Sequence, residues 1–233
     1  CTVETASPIR RAIACARCVS CLLRCGERAL RCARPAQLGN GSRCGRLTGG
    51  DGVKIIISAN TAWYLANFRF GLMRSLIEAG HEVVAAAPTD AARSRVEAIG
   101  CRFVDLPMDR RGTSPARDAA LLRRYVGLMR RERPDAFLGF TIKPNIYGAV
   151  AARLVGVPSV NTISGLGTVF ERETVLTAFV RRLYRHALAA AEIVFFQNAD
   201  DRDAFVSAGI VRAEQAKLLP GSGVDLARFA PPD

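Results

Sequence analysis

A chain of 233 residues with 49% apolar and 23% charged residues has material for one packed core and part of a second. Its longest apolar runs, such as Val83 to Ala87, fall far short of the ~18–20 residues of a membrane-spanning helix, and beyond the first stretch the composition excludes a disordered chain. The formal charge of +12 permits an anionic partner (nucleic acid, membrane or phosphorylated substrate) and chooses none of them.

Two unlike segments meet near Gly49 to Gly52. Seven of the eight cysteines lie in residues 1–44, and residues 1–52 hold nine arginines, no lysine and three acids. Arginines and cysteines interrupt every apolar stretch there, so the segment does not read as a signal peptide. Cys15, Cys18, Cys21 and Cys25 stand in a C-x2-C-x2-C-x3-C spacing that suits an iron–sulfur cluster or a tetrahedral zinc. Gly26 stands where the cluster pattern has proline. Three readings stay open: disordered or mistranslated upstream sequence, a metal or redox site, and a disulfide framework.

From Val53 onward the pattern is regular. Val53–Ser58 reads as a buried strand, and Phe68–Ala79 as a helix that Gly80 stops. Glu82–Ala86 is a second strand, Asp90–Ile99 a helix stopped by Gly100, and Arg102–Asp105 a third strand. Ser114 and Pro115 open a long helix to Arg131, with Ser114 as its cap. Asp135–Phe140 is a strand, Pro144–Val155 a helix, Ser159–Ile163 a strand, Thr174–Ala190 a helix, and Glu192–Gln197 a strand. A helix from Asp200 to Ala208 and a short strand, Lys217–Leu219, complete the series. Strands apolar throughout that alternate with amphipathic helices predict an α/β, doubly wound, Rossmann-like parallel sheet covered on both faces. Such sheets bind ligands beyond the carboxyl ends of their strands.

The loops at those ends carry the candidates. After the first strand, Asn60 and Thr61 offer neutral hydrogen bonds to hydroxyls, and Trp63 and Tyr64 offer flat faces to a sugar or lipid; a tryptophan that simply packs its loop is the alternative. No G-x-G-x-x-G follows that strand, so a nicotinamide or flavin oxidoreductase is not expected. After the fourth strand, Lys143 precedes Pro144 at a helix N-terminus, a place for phosphate or pyrophosphate, the alternative being a solvated lysine; Asn145 follows. Ser164, Gly165 and Gly167 follow the fifth strand, where two glycines let backbone approach a ligand, or merely turn tightly. Asn198 follows the sixth strand as a binding residue or a helix cap. His81 and Cys101 read as structural. Phe179, Arg181, Arg182 and Arg185 sit on one amphipathic helix that either meets an anionic leaflet or packs its apolar face on the sheet.

Several stretches together carry a family resemblance: Asn60 to Arg69, Asp109 to Thr113, Thr141 to Gly148, Asn161 to Phe170, Phe196 to Asp201, and Leu219 through Asp225 to Phe229. Residues 53–233 resemble the N-terminal, acceptor-side half of a family-four GT-B glycosyltransferase, in the bacterial branch that builds capsule, exopolysaccharide or O-antigen units on undecaprenyl diphosphate. The resemblance implies a retaining, nucleotide-sugar-dependent transfer that requires no metal, with no cofactor held in this lobe. It implies a lipid-linked or glycan acceptor, a cytoplasmic location peripheral to the inner face of the plasma membrane, and no nucleic-acid partner. It divides the chain into residues 1–52, a lobe at 53–220, and the start of an interdomain linker at 221–233, with the donor-binding domain absent and the chain inactive alone. A non-catalytic subunit of a split glycosyltransferase is the competing expectation, and a metal or redox protein built on the N-terminal cysteines is a further one.

Overall fold

In a computed structural model the described residues are 52–109, 114–165, 175–219 and 221. The Cys15 to Cys25 cluster, Gly167, and the greater part of the Asp109 to Thr113 stretch lie outside them.

The elements run in chain order as β1 (Lys54–Ser58), α1 (Ala62–Phe68), α2 (Phe70–Glu78), β2 (Glu82–Ala87), α3 (Arg93–Glu97), β3 (Arg102–Asp105), α4 (Pro115–Glu132) and β4 (Ala136–Phe140). A π-helical turn (Pro144–Gly148) leads into α5 (Ala149–Val155), followed by β5 (Ser159–Ile163), α6 (Val175–Leu188), β6 (Ile193–Phe196), α7 (Ala199–Ser207) and β7 (Ala216–Leu218). The strands form one seven-stranded, all-parallel sheet in the order β3-β2-β1-β4-β5-β6-β7. The doubly wound, Rossmann-like sheet expected from the apolar strands is therefore the observed fold.

The strands are apolar on both faces because both are covered. Ile55 and Ile57 of β1 pack with Leu65, Met73 and Leu76 of α1 and α2, while Ile56 between them packs with Leu121, Tyr125 and Met129 of α4 on the opposite face. A third cluster joins Val194 and Phe196 of β6 to Tyr184 and Leu188 of α6 and Phe205 of α7. Ser58, the one polar residue of β1 with a buried hydroxyl, bonds the Ala86 carbonyl and the Tyr125 hydroxyl, 2.7 Å in each case.

Four segments depart from the sequence reading. Residues 62–68 form a helix where a loop was expected: Thr61 caps it, and Ala62, Leu65 and Ala66 turn inward at helical spacing. Arg69, at φ −125° and ψ 4°, breaks the chain between α1 and α2, so the helix expected from Phe68 to Ala79 runs only from Phe70 to Glu78, and Phe68 closes the helix before it. The helix expected over residues 90–99 shrinks to five residues, because Asp90 turns back to accept from the Ala92 and Trp63 amides. The helix expected from Pro144 opens as a π turn.

His81 and Cys101 take structural places. The Val53 amide donates to His81 Nδ1 at 3.4 Å, and burial lowers the pKa of that imidazole. Burial pushes the Cys101 thiol up to about 12, which leaves almost no thiolate at neutral pH. Iodoacetamide at pH 8 should leave Cys101 unmodified in the folded chain and modify it in urea, as peptide mass spectrometry would read; fast labelling of the native thiol would contradict this.

Candidate functional site

Between β1 and β4 the strand order reverses direction. The connection after β1 leaves toward the α1–α2 face, and the one after β4 toward the α4–α5 face. That divergence opens a crevice at the carboxyl edge of the sheet, where doubly wound folds place ligands. Its walls are the turn after β1 (Asn60, Thr61), the turn after β4 (Thr141 to Lys143) and the end of β5 (Ser164, Gly165).

Thr141 pins the first two walls together. Its Oγ1 accepts from the Asn60 amide at 3.1 Å, and its carbonyl accepts from the Asn145 amide at 3.1 Å. Thr141 holds φ +68°, a region a β-branched residue rarely enters, and such strain costs about 1–3 kcal/mol. Strain of this kind collects at functional sites.

Of the residues expected here, Asn60 is half-buried, and Ser164 and Gly165 are exposed. Trp63 is 55% exposed in α1 and meets Phe68 edge-on at 5.7 Å. Thr61 is buried, and its hydroxyl accepts from the Tyr64 amide at 3.0 Å as the cap of α1. Gly167 lies outside the described residues.

Three expectations need correcting. Asn145 is 1% exposed: its Nδ2 donates to the Thr162 carbonyl at 2.8 Å and its Oδ1 accepts from Asn161 at 2.9 Å, so the buried carboxamide ties the π turn to β5 and does not face the crevice surface. Lys143, expected to take a phosphate or to stand solvated on its loop, has an internal counter-ion. Lys143 Nζ lies 2.7 Å from Asp118 Oδ1 of α4, with the two side chains 14% and 13% exposed. Asn198 caps α7: its Oδ1 accepts from the Asp201 amide at 2.7 Å and its Nδ2 donates to the Asp201 carboxylate at 2.9 Å. Asn198→Ala should cost about 1 kcal/mol in urea unfolding while leaving ligand affinity unchanged; a lost ligand with unchanged stability would restore the binding role.

The candidate leaflet-contacting helix, α6, turns Tyr184, Ala187 and Leu188 into the core and leaves Phe179 52% exposed and Arg182 exposed. Arg185 has a different task. It donates to the Gly209 and Ala208 carbonyls at 3.0 and 2.7 Å, just past the end of α7, where backbone acceptors are otherwise orphaned. Arg181 is half-buried.

Beside the crevice, at the ends of β2, β3 and β4, lies a cleft of roughly 400 Å³. Asp109, Arg117, Asp118, Arg124 and Lys143 line it with Pro107 and Met108. The Arg117 guanidinium, 3.0 Å away, holds the Asp109 carboxyl below the usual carboxylate range. Burial and the hydrogen bond to Asp118 raise the pKa of Tyr147, which keeps that hydroxyl protonated. Asp118, Tyr147, Arg69 and Thr141 escaped the sequence reading as site residues. Only the Thr-Ile-Lys-Pro-Asn run hinted at the strained turn, and nothing local hinted at the partner of Lys143.

A seven-stranded parallel sheet with its crevice at the β1/β4 switch is a doubly wound, Rossmann-like lobe. The sequence matches the glycosyl transferase 4-like domain over residues 67–221, and the chain belongs to that family. Solved structures of the same fold include HepE of Anabaena in complex with UDP and glucose, at 18% identity and a TM-score of 0.57, covering 75% of this chain and 46% of that one. A glycosyltransferase from Rickettsia africae superposes at a TM-score of 0.58 with 9% identity, covering 78% of this chain and 46% of its own. A UDP-N-acetylglucosamine 2-epimerase does so at 0.51 with 17% identity, covering 72% and 48%. The chain thus spans about half the length of these structures. No curated protein matches the sequence.

Proposed function

We propose that residues 53–220 form the acceptor-side lobe of a retaining, nucleotide-sugar-dependent glycosyltransferase that assembles cell-surface polysaccharide on a lipid-linked acceptor at the inner face of the plasma membrane. The observation that carries this reading is the make-up of the switch-point crevice. The Tyr64 and Ser164 hydroxyls lie 3.2 Å apart there, the exposed rings of Trp63 and Phe68 adjoin Tyr64, and Asn60 is half-buried in the turn after β1. Hydroxyl-rich, partly apolar sugars need both kinds of contact. Family membership supports the reaction class.

In that reaction an acceptor hydroxyl oxygen forms a bond to the anomeric carbon, and the bond from that carbon to the nucleotide diphosphate breaks. The hydroxyl proton leaves with the diphosphate, and the new bond forms on the face the old one left. The crevice fixes the acceptor hydroxyl, and a second lobe presents the nucleotide sugar. Positioning and electrostatic stabilisation across the two lobes would lower the barrier, and loss of one such donor costs about 10²–10³ in rate. Phe179 and Arg182 on α6 supply an apolar and a basic group for an anionic leaflet.

The test is transfer of radiolabelled hexose from UDP-sugars to a lipid diphosphate-linked monosaccharide. The 233-residue chain alone should give no product, and the same chain fused to the C-terminal lobe of a family relative should give labelled lipid. Turnover by the chain alone would overturn the lobe assignment. A fusion that interconverts UDP-sugars without using the acceptor would overturn the transferase reading.

A further inference from the structure

Arg69 is 2% exposed, and no carboxylate lies within ion-pairing distance of it among the described residues. Its guanidinium carbon stands 4.2 Å from the centroid of the Phe140 ring and 5.5 Å from that of Tyr64. Nη2 donates to the Tyr64 hydroxyl at 3.0 Å, and the buried Nε has no partner. Ring faces offset part of the desolvation of a guanidinium but bring no negative charge. A buried cation left in that state is costly, and proteins normally pair it.

The hydrogen bonds around Arg69 have a fixed direction. A guanidinium only donates, so Tyr64 Oη accepts from it. The Tyr64 hydrogen is then free to point at Ser164 Oγ, 3.2 Å away. Ser164 is exposed at the end of β5, beside Gly165, and its own hydrogen is free to point onward into the crevice. Each donor in such a chain is polarised by the charge behind it. We propose that Arg69, Tyr64 and Ser164 form an oxyanion subsite that takes a phosphoryl oxygen of a diphosphate-bearing substrate. The proposal rests on the crevice being the substrate site argued above. The diphosphate could belong to the lipid acceptor or to the nucleotide, and the affinities decide between them.

Trp63, the only tryptophan of the chain, sits next to Tyr64 and reports on the site by its emission. The full chain is titrated with inorganic pyrophosphate, UDP and farnesyl diphosphate. A saturable change is expected, weakened about tenfold by Tyr64→Phe and by Ser164→Ala and further by Arg69→Met, with Arg69→Lys intermediate. Farnesyl diphosphate binding tighter than UDP assigns the subsite to the acceptor, and the reverse order assigns it to the donor. Should Arg69→Met fail to fold, Tyr64→Phe and Ser164→Ala, which delete only single oxygens, still decide. Unchanged affinity in both of those variants overturns the subsite. A wild-type chain that responds to a neutral alkyl glycoside and to no diphosphate also overturns it, while sparing the acceptor reading; silence toward every probe overturns both.

Discussion

Gly148→Ala should destabilise the lobe by about 3 kcal/mol, at the upper end of what overpacking costs. A Cβ at Gly148 would stand 2.3 Å from Cζ and 2.7 Å from Cε1 of Phe137, closer than any real contact. The ring has nowhere to go: Phe137 is fully buried in β4 and meets Tyr125 edge-on at 5.9 Å. The missing side chain therefore lets the π turn lie against the sheet, and that turn sets the course of the chain from Lys143 into α5. A urea titration should show the midpoint fall with little change in slope, and Phe137→Leu in the same chain should recover part of the loss. An unchanged midpoint for Gly148→Ala would mean that the turn is not packed as described.

The second large effect belongs to the Lys143–Asp118 pair. Removing one partner of a nearly buried ion pair strands the other charge, and such losses reach 3–5 kcal/mol for fully buried pairs. With both side chains 13–14% exposed, Lys143→Met and Asp118→Asn should each cost nearer the lower figure, about 3 kcal/mol. Asp118 also accepts from the Tyr147 hydroxyl and lies in the first turn of α4, where a negative charge is favoured by the helix dipole. The double variant Lys143→Met/Asp118→Asn should cost much less than the sum of these two, with a coupling of about 2 kcal/mol in the double-mutant cycle. Additive single losses would show that the 2.7 Å contact carries no energy and that Lys143 is free for a ligand after all.

The strands were legible because a parallel sheet buried on both faces leaves an unmistakable trace: runs such as Ile55–Ile57 and Val83–Ala87 have no polar alternation. The glycines that end helices at 80 and 100 were legible too, and each has positive φ. What hid was tertiary. The α1 helix was obscured by its aromatic residues, which suit a loop as well as a helix, and its N-terminus is completed by Asp90 from a distant turn. The strand-end loops were the right places to look for a site, yet the tasks within them were decided by neighbours far along the chain. Asn145 is spent on Asn161 and Thr162, Arg185 on the carbonyls after α7, and Lys143 on a carboxylate 25 residues earlier. Arg69 closes a stretch that resembles the family, but its burial against Phe140 follows from the fold alone.

The central claim is that an acceptor sits at the carboxyl ends of β1, β4 and β5. Hydrogen exchange of the 233-residue chain, with and without a lipid diphosphate-linked monosaccharide in detergent, tests it most directly. Added protection is expected in peptides spanning residues 58–69, 140–147 and 160–165, with none at the opposite edge of the sheet near residues 80–82 and 133–135. Protection confined to that opposite edge or to α7, or no protection at saturating acceptor, would contradict the account.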